Sequence, residues 1–370
     1  MAFPECVPVL TDGVVRLRPH AESDIERIVE QCTDPVSLRW TQVPRGYTAA
    51  MAREWLTSIA EGWDSGGDQL WAIEAVDDAE GRFLGSIDLR PRGAGRAEVG
   101  YGLHPEGRGR GLMRRALRLL CQHWFDTGGQ RMDWYSEVGN FDSLAVALRT
   151  GFTFVTKLPE HIADGEGRLV DTWFASLGRQ DTFEPRAPWI TPPVLAADGV
   201  RLRPWRDSDV ESVETPDHPP HFVPAGAIPS PDNWDGWLLR RRLVMARGTS
   251  TNWCIADADT DRAMGEVLIF VHDGALAEQD TAELGYYVFP SARGRGFAGA
   301  ATRLAVDHAF APVDKGGLGL RRLLAETAAD NGASNQILTA LGFTRWGHEK
   351  GAVAPDGSIG PADHWERYAS

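Results

Sequence analysis

The chain contains the same glycine-rich stretch twice. Residues 97–113 read AEVGYGLHPEGRGRGLM, and residues 282–298 read AELGYYVFPSARGRGFA. Each stretch has the pattern of a β-strand, then a loop in which glycines flank an arginine, and then the start of a helix. A local pattern that recurs 185 residues later predicts an internal repeat rather than one large fold.

Further landmarks recur in the same order. The segment DGVVRLRP at 12–19 returns as DGVRLRP at 198–204, and the Gly-Phe pair at 151–152 returns at 342–343. The order of strand and helix patterns within each copy predicts an α/β (α+β) sheet domain. We therefore expect an N-terminal domain at 1–180, a proline-rich linker at 181–193 and a C-terminal domain at 194–370.

Composition restricts the classes of function. The 370 residues include 38 basic and 52 acidic side chains, a net charge of −14 that is shared equally by the parts before and after position 190. Such a chain repels nucleic acid and favours cationic partners such as amines. No apolar run is long enough for a membrane span, and the opening residues lack the pattern of a signal peptide, so we expect a cytoplasmic protein. The four scattered cysteines predict neither a disulfide framework nor a metal site.

The glycine loop has the composition of an anion site. Glycines let the backbone turn tightly and approach a ligand, while the free N–H groups at a helix start favour negative charge. With two arginines in each loop, at 108–113 and 293–298, a phosphate or pyrophosphate is the expected occupant. Neither the Rossmann nor the Walker spacing is present. The alternative is a solvated loop without a ligand, which the recurrence of RGRG in both copies argues against.

These motifs together resemble the GNAT family of acyltransferases. The second loop matches that family's acyl-CoA pyrophosphate motif, (Gln/Arg)-x-x-Gly-x-(Gly/Ala), and the first matches it except that Met113 replaces Gly or Ala. The Glu-x-Gly-Tyr strand, followed by Asn-x-x-Ser and Gly-Phe, is most similar to the RimJ/RimL branch, which acetylates protein N-termini and small amines. The resemblance implies two tandem domains, each a mixed, mostly antiparallel twisted sheet flanked by helices, and acetyl-CoA as the acyl donor.

The resemblance also assigns roles to residues. In the first copy it implies cofactor contacts from Leu103, Arg108, Gly109, Arg110, Gly111, Leu112, Met113 and Asn140. In the second copy the matching residues are Val288, Arg293, Gly294, Arg295, Gly296, Phe297, Ala298 and Asn331. The backbone N–H groups near Leu103 and Val288 are expected to meet the oxyanion, on the strand where family members bind the pantetheine arm.

Amine acylation needs a base for the ammonium and an acid for the leaving thiolate. We expect Glu98 and Glu283 to be general bases that act through water; the alternative is a strand glutamate paired across the sheet with an arginine or lysine. Ser143 and Ser334 are the candidate acids, although a serine at a helix start is usually an ordinary first-turn residue. The strand tyrosines are expected to be core residues.

The sequence therefore predicts an acyl-CoA-dependent N-acyltransferase whose acceptor is a small amine, an aminosugar or a peptide N-terminus. An alternative remains open, in which only one domain is catalytic and the other binds acyl-CoA or a partner without turnover. Met113 makes the first copy the candidate for that role. Aminoacyl transfer of the Fem type is disfavoured, because those tandem domains typically lack an intact RGRG loop.

Overall fold

The computed structural model describes residues 7–197, 199–217, 226–354 and 357–369. The chain divides into two compact units, Met1–Arg186 and Ala187–Ser370. Each unit is a mixed sheet with helices packed on it, and the two are described separately below.

Unit 1 follows the order strand, helices, strands, helix, strand, helix, hairpin. Its strands are β1 (Leu10–Thr11), β2 (Val15–Arg18), β3 (Gln69–Ala75), β4 (Gly85–Gly93), β5 (Arg96–Leu103), β6 (Arg131–Glu137), β7 (Thr153–Ala163) and β8 (Leu169–Gly178). Its helices are α1 (Ile25–Thr33), α2 (Pro35–Trp40), α3 (Ala49–Ser65), α4 (Leu112–Asp126) and α5 (Phe141–Arg149).

Unit 2 repeats this order with a different helical segment after its second strand. Its strands are β9 (Leu195–Ala197), β10 (Val200–Arg203), β11 (Ser250–Asp257), β12 (Ala263–Phe270), β13 (Thr281–Val288), β14 (Arg322–Ala328), β15 (Thr344–Val353) and β16 (Ile359–Tyr368). Its helices are α6 (Trp234–Ala246), α7 (Phe297–Phe310) and α8 (Gly332–Ala340).

Both sheets have eight strands in equivalent orders, β1-β2-β3-β4-β5-β6-β8-β7 and β9-β10-β11-β12-β13-β14-β16-β15. Among the described strands, β5 pairs with β6 and β13 with β14 in parallel, whereas the other pairs are antiparallel. The parallel pair arises because helix α4 or α7 connects its strands by a crossover. The predicted fold class, a mixed and mostly antiparallel sheet in each of two tandem domains, is confirmed.

The parallel strands part before they end. The pairing of β5 with β6 stops at Val99 and Trp134, although β5 continues to Leu103 and β6 to Glu137. In unit 2 the last paired residues are Glu283 and Leu324, although β13 continues to Val288 and β14 to Ala328. Each sheet therefore contains a gap between two neighbouring strands, next to the loop that carries the glycines.

A buried tryptophan in each unit makes the same contacts with the segment before the first strand and with a crossover helix. Trp71 donates a hydrogen bond from its Nε1 to the carbonyl oxygen of Pro8 at 2.9 Å, and Trp253 donates to Pro193 at 2.8 Å. A histidine near the end of α4 or α7 packs edge-on against each indole ring, with centroid distances of 5.8 and 5.4 Å. Since these contacts recur, the repeat extends from the motifs to the packing of the core.

The predicted linker, residues 181–193, is attached at both ends. Asp181 accepts a hydrogen bond from the N–H of Gly178 at 2.7 Å, which ties the start of the segment to unit 1. The N–H of Ile190 donates to the carbonyl of Met245 at 3.0 Å, which ties the later part to unit 2. The limits of the linker therefore stay a prediction.

No helix among the described residues is long and apolar enough to cross a membrane.

Close packing of β4 against β5 gives the first testable prediction. A Cβ atom on Gly85 would lie 2.4 Å from the carbonyl oxygen of Gly102, and Gly85 also has a φ of +153°. We expect Gly85→Ala to lower the free energy of unfolding of unit 1 by about 2 kcal/mol more than Gly13→Ala, because overpacking adds to backbone strain. Gly13 is the matched control, since it has a φ of +85° and nothing within 4 Å of an added Cβ. Urea-induced unfolding measures both; equal losses would contradict the prediction.

Candidate functional site

The strand edges that face the gap have main-chain groups aimed into it. The N–H of His104 donates to the carbonyl of Leu84 on the β4 side at 3.0 Å. Because main-chain groups alternate in direction along a strand, those of Leu103 point the other way, towards the gap left by β6. In unit 2 the N–H of Phe289 donates to Met264 at 2.8 Å, so the groups of Val288 face the corresponding gap. An extended amide chain can hydrogen-bond to such a free edge.

The glycine loop lies at the end of this edge. Gly109 and Gly111 have φ values of +71° and +74°, and Gly294 and Gly296 have values of +71° and +85°. At each of these four positions an added Cβ would meet nothing within 4 Å, so the space above the loop is open. The glycines are therefore required by the left-handed backbone, and they leave the loop accessible to a ligand.

Helices α4 and α7 begin immediately after the loop without a side-chain cap. The first helical hydrogen bonds run from Arg115 to the carbonyl of Gly111 and from Ala300 to that of Gly296, at 3.5 and 3.1 Å. The amides of the first turn consequently lack helical acceptors, as at every uncapped helix start. They include the predicted cofactor residues Leu112, Met113, Phe297 and Ala298. This end of each helix is suited to hold an anion.

The two arginines of each loop differ in their surroundings. Arg108 donates to the carboxylate of Asp34 at 2.6 Å, to the hydroxyl of Ser37 at 3.0 Å and to the carbonyl of Leu103 at 3.2 Å. It therefore ties the loop to the start of α2 and to the free strand edge. In unit 2, Arg293 likewise donates to an aspartate, Asp217, at 2.8 Å.

The second arginines have weaker attachments. Arg110 lies 3.9 Å from Asp77, and Arg295 lies 3.6 Å from Asp257. Both side chains are about half exposed, so they are available to an anion bound above the loop. Met113, which departs from the family motif, is buried in the core with Leu112.

The asparagine and serine of each copy lie at a helix start. Asn140 accepts a hydrogen bond from the N–H of Ser143 at 3.1 Å, and Asn331 accepts one from Ser334 at 3.2 Å. This is ordinary N-cap geometry. The Ser143 hydroxyl also accepts from the indole of Trp134 at 3.3 Å.

A tyrosine from the parted strand contacts each serine. The Tyr101 hydroxyl donates to the carbonyl of Ser143 at 3.0 Å, and that of Tyr286 donates to Ser334 at 3.4 Å. The Ser143 hydroxyl in turn donates to Tyr101 at 3.3 Å. Burial raises the pKa of both tyrosines, so their hydroxyls keep their protons. Sequence patterns indicated core tyrosines and could not show this contact with the serines.

The candidate acid and base lie on opposite faces of β5. Tyr101 points to the face where α5 supplies Ser143. Side chains alternate along a strand, so Glu98 and Gly102 share the other face. An added Cβ on Gly102 would lie 3.2 Å from the amide nitrogen of Gln31 in α1, which identifies that face as the one beneath α1. The gap thus has a carboxylate on one side and hydroxyl groups on the other.

Both carboxylate oxygens of Glu98 are bound by arginines. Arg90, directly opposite on β4, donates to Oε1 at 3.1 Å, and Arg92 donates to Oε2 at 3.1 Å. Arg90 also binds Asp88, with 3.0 Å between its Nε and the Asp88 Oδ1. The cross-strand ion pair considered from the sequence is therefore present in unit 1.

Glu283 has different neighbours. The residue opposite it on β12 is Phe270, and its Oε2 lies 3.0 Å from Nε2 of His272. Burial, together with the charges of Glu283 and Glu349, raises the pKa of Glu326 on the adjacent strand. Sequence reasoning missed Arg90, Arg92 and His272. These residues lie at the end of the strand that precedes each Glu-x-Gly-Tyr strand, so the order of the strands was the available signal for them.

Comparison with known proteins identifies the domain. The acetyltransferase (GNAT) domain model matches residues 15–153 and 200–344, which is more than half of the chain. No curated protein matches the chain significantly.

Several solved structures are similar to about half of the chain. RimJ from Mycobacterium smegmatis, solved with CoA-disulfide, is 19% identical over 48% of this chain and 90% of its own, with a TM-score of 0.41. A GCN5-related N-acetyltransferase from Brucella melitensis is 23% identical over 48% of this chain and 81% of its own, with a TM-score of 0.41. RimL, a ribosomal L7/L12 alpha-N-protein acetyltransferase solved with CoA, is 19% identical over 46% and 97%, with a TM-score of 0.40.

The two domain matches span both glycine loops and both parted strand pairs. The chain therefore belongs to the GNAT acetyltransferase family and carries two copies of its domain.

Proposed function

We propose that the protein transfers an acetyl group from acetyl-CoA to a primary amine by direct attack, with Glu283 as the general base. The observation that carries this proposal is the gap beside β13, which has an open glycine loop at its end and a glutamate at its edge. Glu283 is hydrogen-bonded through Oε2 only, as far as the described residues show, so Oε1 is available to accept a proton.

The donor would be held by main-chain groups and the second arginine of the loop. The amides of the pantetheine arm hydrogen-bond to the edge at Val288, as a strand would. The pyrophosphate binds the first-turn amides of α7 beside Arg295, where the helix dipole and the guanidinium both favour negative charge. Leu103 and Arg110 are the equivalent residues in unit 1.

The reaction proceeds by loss of a proton, attack and departure of the thiolate. Glu283, through a water molecule, takes one proton from the ammonium, and the amine nitrogen then forms a bond to the thioester carbon. The N–H at Val288 stabilises the oxyanion. The C–S bond breaks as the oxyanion collapses, and the thiolate receives a proton from the hydroxyl of Ser334. The second proton of the nitrogen passes through solvent to that serine and restores its hydroxyl group.

The acceptor is proposed to be a cationic amine. The face that carries Glu283 also carries Glu326, and Glu349 lies 3.6 Å from His364, which pairs with Glu326 across the sheet. These carboxylates and the net charge of −14 attract an ammonium group. Small polyamines, aminosugars and basic N-termini all meet this requirement.

A second candidate function concerns unit 1 alone. Both carboxylate oxygens of Glu98 are engaged by Arg90 and Arg92, whereas Oε1 of Glu283 has no recorded partner among the described residues. Unit 1 nevertheless keeps the glycine loop and the free strand edge. On this reading unit 1 binds acyl-CoA or a partner without turnover, and unit 2 is the catalytic half.

The glycine loop gives a test of cofactor binding. We expect Gly296→Ala to weaken the binding of CoA to unit 2 by about tenfold, because a side chain strains the left-handed turn and fills space above the first-turn amides. Gly316→Ala is the matched control, since Gly316 also has a positive φ, +81°, and nothing within 4 Å of an added Cβ. Calorimetric titration of the full chain with CoA measures both variants. Identical affinities would contradict the proposed pyrophosphate site.

The two glutamates give a test of the base. We expect Glu283→Gln to lower kcat by about a hundredfold, the usual effect of losing a general base, and Glu98→Gln to change it by less than about threefold. Release of CoA thiol from acetyl-CoA measures turnover, with a panel of polyamines, aminoglycosides and basic N-terminal peptides as acceptors. Unchanged CoA affinity in both variants shows that they are folded. Equal losses of kcat would rule out unit 2 as the dominant site, and no release from the unmodified protein would overturn the proposed function.

A further inference from the structure

Two sheet positions beside the candidate base carry different residues in the two units. Arg90 faces Glu98 across the sheet, and Phe270 faces Glu283 in the equivalent register. Two residues further along the chain, Arg92 and His272 each place a nitrogen against the carboxylate, at 3.1 and 3.0 Å. A pair of guanidinium groups in unit 1 is thus replaced by an aromatic ring and an imidazole in unit 2.

This exchange changes the kind of charge next to the base. A guanidinium is charged at every physiological pH, whereas an imidazole changes its charge between about pH 5 and 8. The side chain of His272 is 77% exposed, so it exchanges protons with solvent freely. Its ring also packs edge-on against Phe270, with a centroid distance of 5.4 Å, which holds the ring beside Glu283.

The charged groups around Glu283 come from every neighbouring strand. Glu326 on β14 lies close enough for the charge of Glu283 to affect it, and Asp273 follows His272 in the chain. Among the described residues, no arginine or lysine forms an ion pair with Glu283. Among the described residues, His272 is thus the basic side chain that contacts the carboxylate of Glu283.

We infer that His272 is a positioning residue for Glu283, and this inference rests on the proposed function. The neutral ring donates its Nε2–H to Oε2 and holds the carboxylate so that Oε1 faces the acceptor. The protonated ring holds the same carboxylate in an ion pair, and this ion pair competes with the ammonium group of the acceptor for the carboxylate. In unit 1 the glutamate is always held in an ion pair, because arginine stands in place of the ring and stays charged.

The test compares two substitutions with opposite expected pH dependence. In His272→Gln, the glutamine keeps an N–H donor but does not titrate. In His272→Arg, the arginine supplies a permanent positive charge, as the arginines do in unit 1. Thiol release by the full chain is measured with the best amine of the panel from about pH 5.5 to 8.5. The ratio of each variant to the unmodified protein cancels the ionisation of the amine itself.

We expect the His272→Gln ratio to be near one at high pH and to rise up to about tenfold as the pH falls, because only the unmodified base is weakened there. The His272→Arg ratio is expected near one at low pH and to fall about tenfold as the pH rises. His348→Gln is the matched control, since His348 pairs with Asp363 at 2.7 Å in the same unit. Ratios for both His272 variants that do not vary with pH would overturn the inference, because a merely structural role gives constant ratios.

A second measurement does not need turnover. The pH titration of the His272 ring, followed by NMR in the full chain, is expected to change when Glu283 is replaced by Gln, because the ring loses its partner. An unchanged titration would overturn the inference even if no amine in the panel is acetylated. Failure of thiol release together with a changed titration would overturn the proposed function and leave the pairing of His272 with Glu283 supported.

Discussion

The separation of two parallel strands is the constraint on which the rest of each unit depends. Once β5 leaves β6 after Val99, and β13 leaves β14 after Glu283, main-chain groups inside a sheet lose their partners. Unpaired main-chain groups at a sheet interior are costly unless a ligand or water satisfies them. The crossover helix starts beside this gap, so its uncapped end and the free strand edge form one continuous site.

The two units share the glycine loop and free strand edge that we propose hold the donor. They differ around the glutamate that we propose acts on the acceptor. Each loop has left-handed glycines at equivalent positions and an arginine tied to an aspartate, Arg108 to Asp34 and Arg293 to Asp217. The surroundings of the glutamate have diverged from two arginines to an aromatic ring and an imidazole. Divergence is thus concentrated on the face beneath the helices that follow β2 and β10, where an acceptor would approach.

Much of this arrangement could be predicted from the sequence. Glycines with a required left-handed backbone, and a glutamate at a fixed spacing before them, are local features that a linear pattern records, and they identified both loops. The repeat also predicted two sheets of one kind. In both copies the asparagine is the N-cap residue and the serine lies in the first turn, as their position at a helix start suggested.

Other features depend on register, which a linear pattern does not contain. Arg90 reaches Glu98 only because a particular antiparallel pairing places them opposite one another, and one residue of slippage would put them on different faces. The inward direction of Met113 depends on how α4 packs, so its departure from the family motif could not be judged from the sequence. The segment after β10 also differs from its counterpart in unit 1, since residues Asp207–Ser212 form a short 3-10 helix where unit 1 has α1.

The hydrogen bonds of the two buried tryptophans show which residues each folded unit needs at its start. The family match starts at residues 15 and 200, but the indole N–H groups of Trp71 and Trp253 are bonded to Pro8 and Pro193, which lie before those starts. A half expressed from the edge of the match would leave a buried donor without an acceptor, at a cost of about 1–3 kcal/mol. The match also ends at the first residue of the hairpin that completes each sheet. The repeated structural unit is therefore longer than the family match, because it includes the short segment that accepts the hydrogen bond of the buried tryptophan.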